Sequence, residues 1–233
     1  YARAIGLVGS EMCIRDSLLT EEMTEYRDET EQMLFKLPLA GSAFKKVYYD
    51  PLLERPCAMF VPAEDFVVSY GATDLMTCAR YTHVMKKSAN EIAKLMVNGF
   101  YRDVDLPDPE PDMSDIQEKY DELDGESAVI EDDDRHTLLE MHADIEMPEP
   151  FDDKDGIERP YVVTIDKSSR TILSIRRNYY EDDEKKKKVQ YFVHYKYLPG
   201  LGFYGTGLIH LIGGLAKSAT SILRQLIDAG TLS

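Results

Sequence analysis

Ten residues near the C-terminus limit the possible folds more than any others. From Leu198 to Gly207 the chain reads Leu-Pro-Gly-Leu-Gly-Phe-Tyr-Gly-Thr-Gly, one proline and four glycines in ten positions. Ahead of them, Val189 to Leu198 places Tyr191, Val193, Tyr195 and Tyr197 on one side of an alternating run, the period of a strand. Behind them, Leu208, Leu211, Ile212, Leu215, Ala219, Ile222, Leu223 and Leu226 recur at helical spacing over about 207–229. A strand must therefore end, turn on glycines, and launch a long amphipathic helix.

That junction supports two readings. Gly200-Leu201-Gly202-Phe203-Tyr204-Gly205 fits GxGxxG between a strand and a helix, where such glycines let backbone amides approach a pyrophosphate. Against this, the preceding strand alternates tyrosines with His194 and Lys196, unlike the doubly buried first strand of a dinucleotide fold. Bulky Phe203 and Tyr204 also fill the places a phosphate would approach. The preferred reading makes Pro199, Gly200, Gly202, Gly205 and Gly207 a structural hinge, with no cofactor. Within the helix, Gly213 and Gly214, each costing about 1 kcal/mol against alanine, accompany Ala216, Ser218 and Ala219. Small residues there permit a tight helix–helix or subunit contact; a simple kink is the alternative.

Composition narrows the function. With 43 acids against 27 bases the net charge is −16, the wrong sign for a protein that grips DNA by neutralising phosphates. Transient passage of DNA is compatible with it. The three cysteines, Cys13, Cys57 and Cys78, show no CxxC or Cys/His spacing, so neither a zinc site nor a disulfide framework is expected, and a reducing setting fits. His83, His136, His142, His194 and His210 are scattered, with no HExxH spacing and no GxSxG elbow, so no catalytic residue and no metal ligand is singled out. Gly207 to Ala216, the most apolar segment, is too short to span a bilayer.

Along the chain the character is α+β. Residues 18–37 have helical spacing, closed by Pro38 and Gly41. Four short β-rich runs follow at 44–49, 57–61, 65–70 and 81–86. Ser88 with Glu91 is a capping box for a helix bearing Ile92, Leu95, Met96 and Phe100. About half of all the acids lie in 103–158, where Pro107, Pro109 and Pro111 favour extended, solvated chain, with a short helix possible over Met113–Leu123 and Glu131–Asp134 exposed. Asp152-Asp153-Lys154-Asp155-Gly156 is a poor calcium loop, since Phe151 would take its first ligand position. Strands return at Thr137–Met147, with Leu139, Met141, Ala143 and Ile145 on one face, and at Tyr161–Asp166 and Thr171–Tyr179, joined by Lys167-Ser168-Ser169-Arg170 as a hairpin. The lysine run 185–188 suggests a hairpin tip. Residues 1–17 are set apart: Val8 to Ser17 resembles translated sequencing-adapter read-through. The expected divisions are 1–17, an α+β part over 18–102, an acidic linker over 103–136, an antiparallel β part over 137–198, and the hinge and helix over 199–233. Both ends look cut, as in a piece of a longer chain.

Several blocks, in order, resemble the portal proteins of short-tailed phages. They are Gly41 to Pro51, Val61 to Asp65, Tyr70 to Leu75, Asn98 to Val104 and, most specifically, Leu198 to Gly230. The resemblance covers about residues 18–233. It implies a non-enzymatic ring subunit, one of twelve in the family's usual form, at one capsid vertex of the virion, assembled in the host bacterial cytoplasm. The implied fold is a portal-type wing region with short antiparallel strands, peripheral helices and a long C-terminal amphipathic helix. Capsid and scaffold proteins, the terminase and tail adaptor proteins are its implied partners, with double-stranded DNA passing through and no membrane involved. The rival classes are a nucleotide-binding enzyme built on Gly200–Gly205 and an acidic adaptor or DNA mimic.

Overall fold

The computed structural model describes residues 16–109, 134–148, 156–200 and 202–231. The fold is α+β, with two antiparallel sheets and three α-helices among the described residues. The Met113–Leu123 segment, most of the 103–136 linker, Asp152–Asp155 and the cysteine at 13 lie outside them.

The chain forms two compact units. The first runs through Phe66, resumes over Tyr70–Cys78 and again from Gln190; the second comprises Val67–Ser69 and Ala79–Val189. The units are thus interleaved along the chain, where the sequence suggested consecutive parts.

In the first unit, β1 (Ser42–Asp50) lies between β2 (Arg55–Pro62) and β8 (Phe192–Lys196). Helix α1 (Tyr26–Ala40) covers one face, where Met33, Ala43 and Phe60 pack together with Leu37 and Tyr195. This helix starts later than the sequence suggested, after a single π-type turn at Leu18–Glu22, and runs through Pro38. Proline in a last turn forfeits one hydrogen bond without stopping the helix. Gly41, in the left-handed conformation with φ +85°, ends it, its N–H donating to the Leu37 carbonyl.

Two lysines of β1 are buried, which their charge would not suggest. The Lys45 ammonium lies 3.6 Å from the Tyr26 ring centroid and donates to the Thr30 hydroxyl. Burial lowers its pKa, with Glu29 opposing. The ring face and hydroxyl replace part of the lost hydration.

The outer edge of β2 is closed residue by residue. Val47 of β1 donates to Tyr191, so the odd-numbered residues of β1 face β8 and the even-numbered ones face β2. The register then leaves residues 56, 58, 60 and 62 pointing outward. Pro56 and Pro62 have no N–H to offer, Ala58 donates to Glu25 Oε1 at 3.2 Å, and Phe60 donates to Glu29. The Arg55 guanidinium holds Glu25 in place at 2.7 Å. Burial alone would raise the Glu25 pKa, but its own backbone N–H, Arg55 and Ala58 together bring it below the usual range.

The second sheet runs β3 (Phe66–Val68), β4 (Arg80–Ser88), β5 (Arg135–Ile145), β6 (Arg159–Asp166) and β7 (Ile172–Arg177) in order. Helix α2 (Ala89–Val97) starts on the expected capping box, with both Ser88–Glu91 hydrogen bonds formed. It packs Ile92 and Leu95 onto Leu138, Leu173 and Tyr101. On the apolar face of β5 Ala143 is buried and Leu139, Met141 and Ile145 are half-buried, while the face bearing His136, Leu138, Glu140 and His142 is buried. Polar groups are tolerated there because they pair: His142 Nε2 lies 3.1 Å from Glu140, and the His142 ring stacks on Tyr81 at 4.8 Å. The β6–β7 hairpin forms as expected, its turn held by Asp166, which accepts from both hydroxyls of Ser168 and Ser169 and from the Ser169 N–H. In the lysine run, Lys186 and Lys188 fold back over the rings of Tyr179 and Tyr81, while Asp183 accepts the N–H groups of Lys185 and Lys187.

Candidate functional site: a glycine clasp at the root of a long helix

The residues singled out by the sequence at 199–207 converge on Gly41, some 160 positions earlier. Tyr197 N–H donates to the Gly41 carbonyl, extending β8 past its last ladder residue. The next turn is tied by Thr206 N–H donating to Leu198. Gly205 N–H donates to Ser42 Oγ at 2.7 Å, and Gly207 N–H donates to His210 Nδ1 at 3.1 Å. Helix α3 (Leu208–Thr231) departs from there.

Three glycines are required sterically at this crossing. A methyl group on Gly207 would lie 2.2 Å from the Leu39 carbonyl oxygen, one on Gly205 2.4 Å from that of Gly41, and one on Gly41 2.3 Å from Gly207 N. These neighbours are backbone atoms that cannot rotate away. Gly200 is confined similarly, 2.5 Å from the Tyr204 carbonyl, whereas Gly202 and Gly214 face open space and Gly213 meets only an Ile209 methyl at 3.9 Å. Pro199 is exposed at the bend.

An aromatic stack fills the face of the first sheet opposite α1. Phe44 is fully buried and stacks on Phe66 at 4.1 Å and His194 at 4.4 Å, and His194 stacks on Phe203 at 4.7 Å. The Tyr204 hydroxyl donates to the Phe66 carbonyl at 2.7 Å. Phe192 and His194 of β8 face this stack, Tyr195 packs on the opposite face beneath α1, and Val193 and Tyr197 are exposed. Phe66 receives Phe192 and the glycine loop supplies Phe203 to His194, so both faces of β8 are covered.

These contacts argue against a phosphate cradle. The sheet is antiparallel, Phe203 is buried in the stack, and the amides of Gly205, Thr206 and Gly207 are engaged within the protein. Ser42 and His194 form a close pair, with Nε2 3.1 Å from Oγ, and Asp74 acts electrostatically on the imidazole. Yet Ser42 is 2% exposed and its oxygen already accepts the Gly205 amide, which leaves a substrate no approach.

His194 makes the clasp sensitive to acid. Burial, reinforced by Lys196 and opposed by Asp74, lowers its pKa to about 4 from 6.5. Above pH 6.5 the imidazole is neutral in folded and unfolded chain alike. Between 6.5 and 4 the unfolded chain takes a proton that the folded one refuses, so stability falls across that window and is flat below it. The expected loss is about 1–2 kcal/mol once partial exposure is allowed for. Denaturation followed from pH 7.5 to 4 checks this: His194→Gln should lessen the slope in that window.

The clasp residues that sequence reading missed are Ser42 and His194, and Gly41 was read only as a helix end. Their partners lie 152 and 163 positions away, so no local spacing reveals them. The one signal was that Gly41–Phe44 and Leu198–Gly207 both fall in the blocks that carry the family resemblance.

Comparison with known proteins agrees with that resemblance. No individual curated protein matches the chain. The family model described as phage SU10 portal protein matches residues 17–233, leaving outside it nearly all of the stretch set apart from fold reasoning. With a match over nearly its whole length, an antiparallel α+β fold and a glycine-locked root for a long helix, the chain belongs to the phage SU10 portal protein family, a family of structural proteins of the phage particle.

Proposed function

We propose that the chain is a subunit of a portal ring, the conduit through which double-stranded DNA enters the capsid and later leaves it. The described residues would form wing, and α3 would run toward the channel as an interface between subunits. Family membership supports the class. The observation that carries the assembly is α3 itself: Ile209, Leu211, Ile212, Leu215, Ile222, Leu223, Leu226 and Ile227 are each more than half exposed. So large a contiguous apolar face is costly in water and marks a contact surface.

A ring of twelve is the proposed form, at one vertex of the virion, built in the bacterial cytoplasm with capsid and scaffold proteins, terminase and tail adaptors as partners. The small residues at Gly213, Gly214, Ala216 and Ala219 would admit close approach of a neighbouring helix. The net charge of −16 suits a conduit, because a surface that repels phosphate does not retain its cargo.

Particle images of the protein expressed from its complete gene test this. Rings with a central pore are expected, and Ile222→Asp with Leu226→Asp should shift the population to monomers that keep their fold, since both side chains are exposed in the single chain. Monomers from the unaltered gene, or rings indifferent to both charges, would reject the reading.

A further inference from the structure

The glycine junction at 199–207 packs backbone against backbone, and a different part of the chain has the local chemistry of a joint. At the root of α3, carbonyl and amide groups of Leu39, Gly41, Gly205 and Gly207 lie in backbone-to-backbone contact, and His210 caps the first turn through the Gly207 N–H. Helix α1 also contacts α3 there. The first turns of α3 are thus held to the body of the first unit.

Beyond Ile212 the restraints change. Gly213 and Gly214 follow one another inside the helix, where glycine gives the backbone its greatest freedom. Nothing in the chain demands them there, since a methyl group on Gly214 meets no atom within 4 Å and one on Gly213 only the Ile209 methyl. A second observation is independent of composition. Ser218 Oγ donates to the Gly214 carbonyl at 3.0 Å, and Thr220 Oγ1 donates to the Ala216 carbonyl at 2.9 Å. Hydroxyls bonded four residues back compete with the helical N–H for the same carbonyl and are associated with bending.

We infer that α3 is two helical segments in series, joined by a compliant element over Gly213–Thr220 that lets the distal half change its tilt while the root stays clasped. In this arrangement the glycine pair supplies torsional freedom, and the two hydroxyls keep the carbonyls bonded when the axis bends. The inference does not depend on the ring: it concerns the mechanics of one chain.

Double electron–electron resonance on the full chain tests it, with Cys13, Cys57 and Cys78 replaced by alanine. One nitroxide is placed on α1 at Gln32→Cys, and the other on α3 at Ile209→Cys or Gln225→Cys. A narrow distance distribution is expected for 32–209 and a broad one for 32–225, and Gly213→Ala with Gly214→Ala should narrow the second to about the width of the first. Equal narrow widths for both pairs in the unaltered helix, broad distributions for both, or a 32–225 width unmoved by the alanines would each overturn it. Amide exchange separates a joint from simple end-fraying. A joint gives a local minimum of protection over 214–221 that the alanines remove, and protection falling steadily toward Thr231 overturns the inference.

Discussion

Gly207→Ala is expected to destabilise the protein by about 3–5 kcal/mol, lowering its melting temperature by roughly 10 °C. The added methyl group would sit 2.2 Å from the Leu39 carbonyl oxygen and 2.5 Å from Gly41 N. Both are main-chain atoms, so relief requires moving the end of α1 or the root of α3. Either movement strains the hydrogen bonds from Tyr197 to Gly41 and from Gly205 to Ser42. Gly214→Ala is the internal control. It removes a glycine from the same helix but meets open space, so it should stabilise the helix by up to about 1 kcal/mol. Calorimetric melting of the two variants side by side distinguishes a steric lock from a general need for glycine; equal losses would contradict the clasp.

The second large effect is Phe44→Ala, with an expected cost of about 3–5 kcal/mol. Phe44 is fully buried, with Phe66, His194 and Phe203 stacked around it and the Tyr204 ring edge-on at 6.5 Å. Truncation leaves a cavity walled by rings from β1's neighbours and from the glycine loop. Leu226→Ala deletes a comparable side chain from a position 63% exposed in the single chain, and chemical denaturation should find it within about 0.5 kcal/mol of the parent. In an assembled ring the same Leu226 change should become costly, because the side chain then has something to pack against.

How much of this was written in the sequence differs between local and distant features. The Ser88 capping box, the β6–β7 hairpin and the launch of α3 after Gly207 were legible, because each depends on residues a few positions apart. For β5 and β8 the alternation was legible but the covering of each face was not. Alternation shows that a strand has two faces, but which face is buried depends on what covers it. His142 goes inside because Tyr81 and Glu140 receive it, and His194 because Phe44 and Phe203 do. The clasp was half legible: its glycines stood out, but their reason, the opposing backbone at Gly41, lies at the other end of the chain. The mistaken start of α1 has a similar cause, since Glu25 and Glu29 serve the edge of β2 as well as their own helix.

That closed edge also decides in which direction the first sheet can be extended. Two prolines bracketing two carboxylate-capped amides leave β2 no outward N–H to donate to another strand, which disfavours stacking of copies through this side into an endless ribbon. For the ring proposed above, uncontrolled strand-to-strand growth would be the competing mode of self-association. Here two glutamates and two prolines shut that route, and self-association is left to surfaces whose geometry can close on itself.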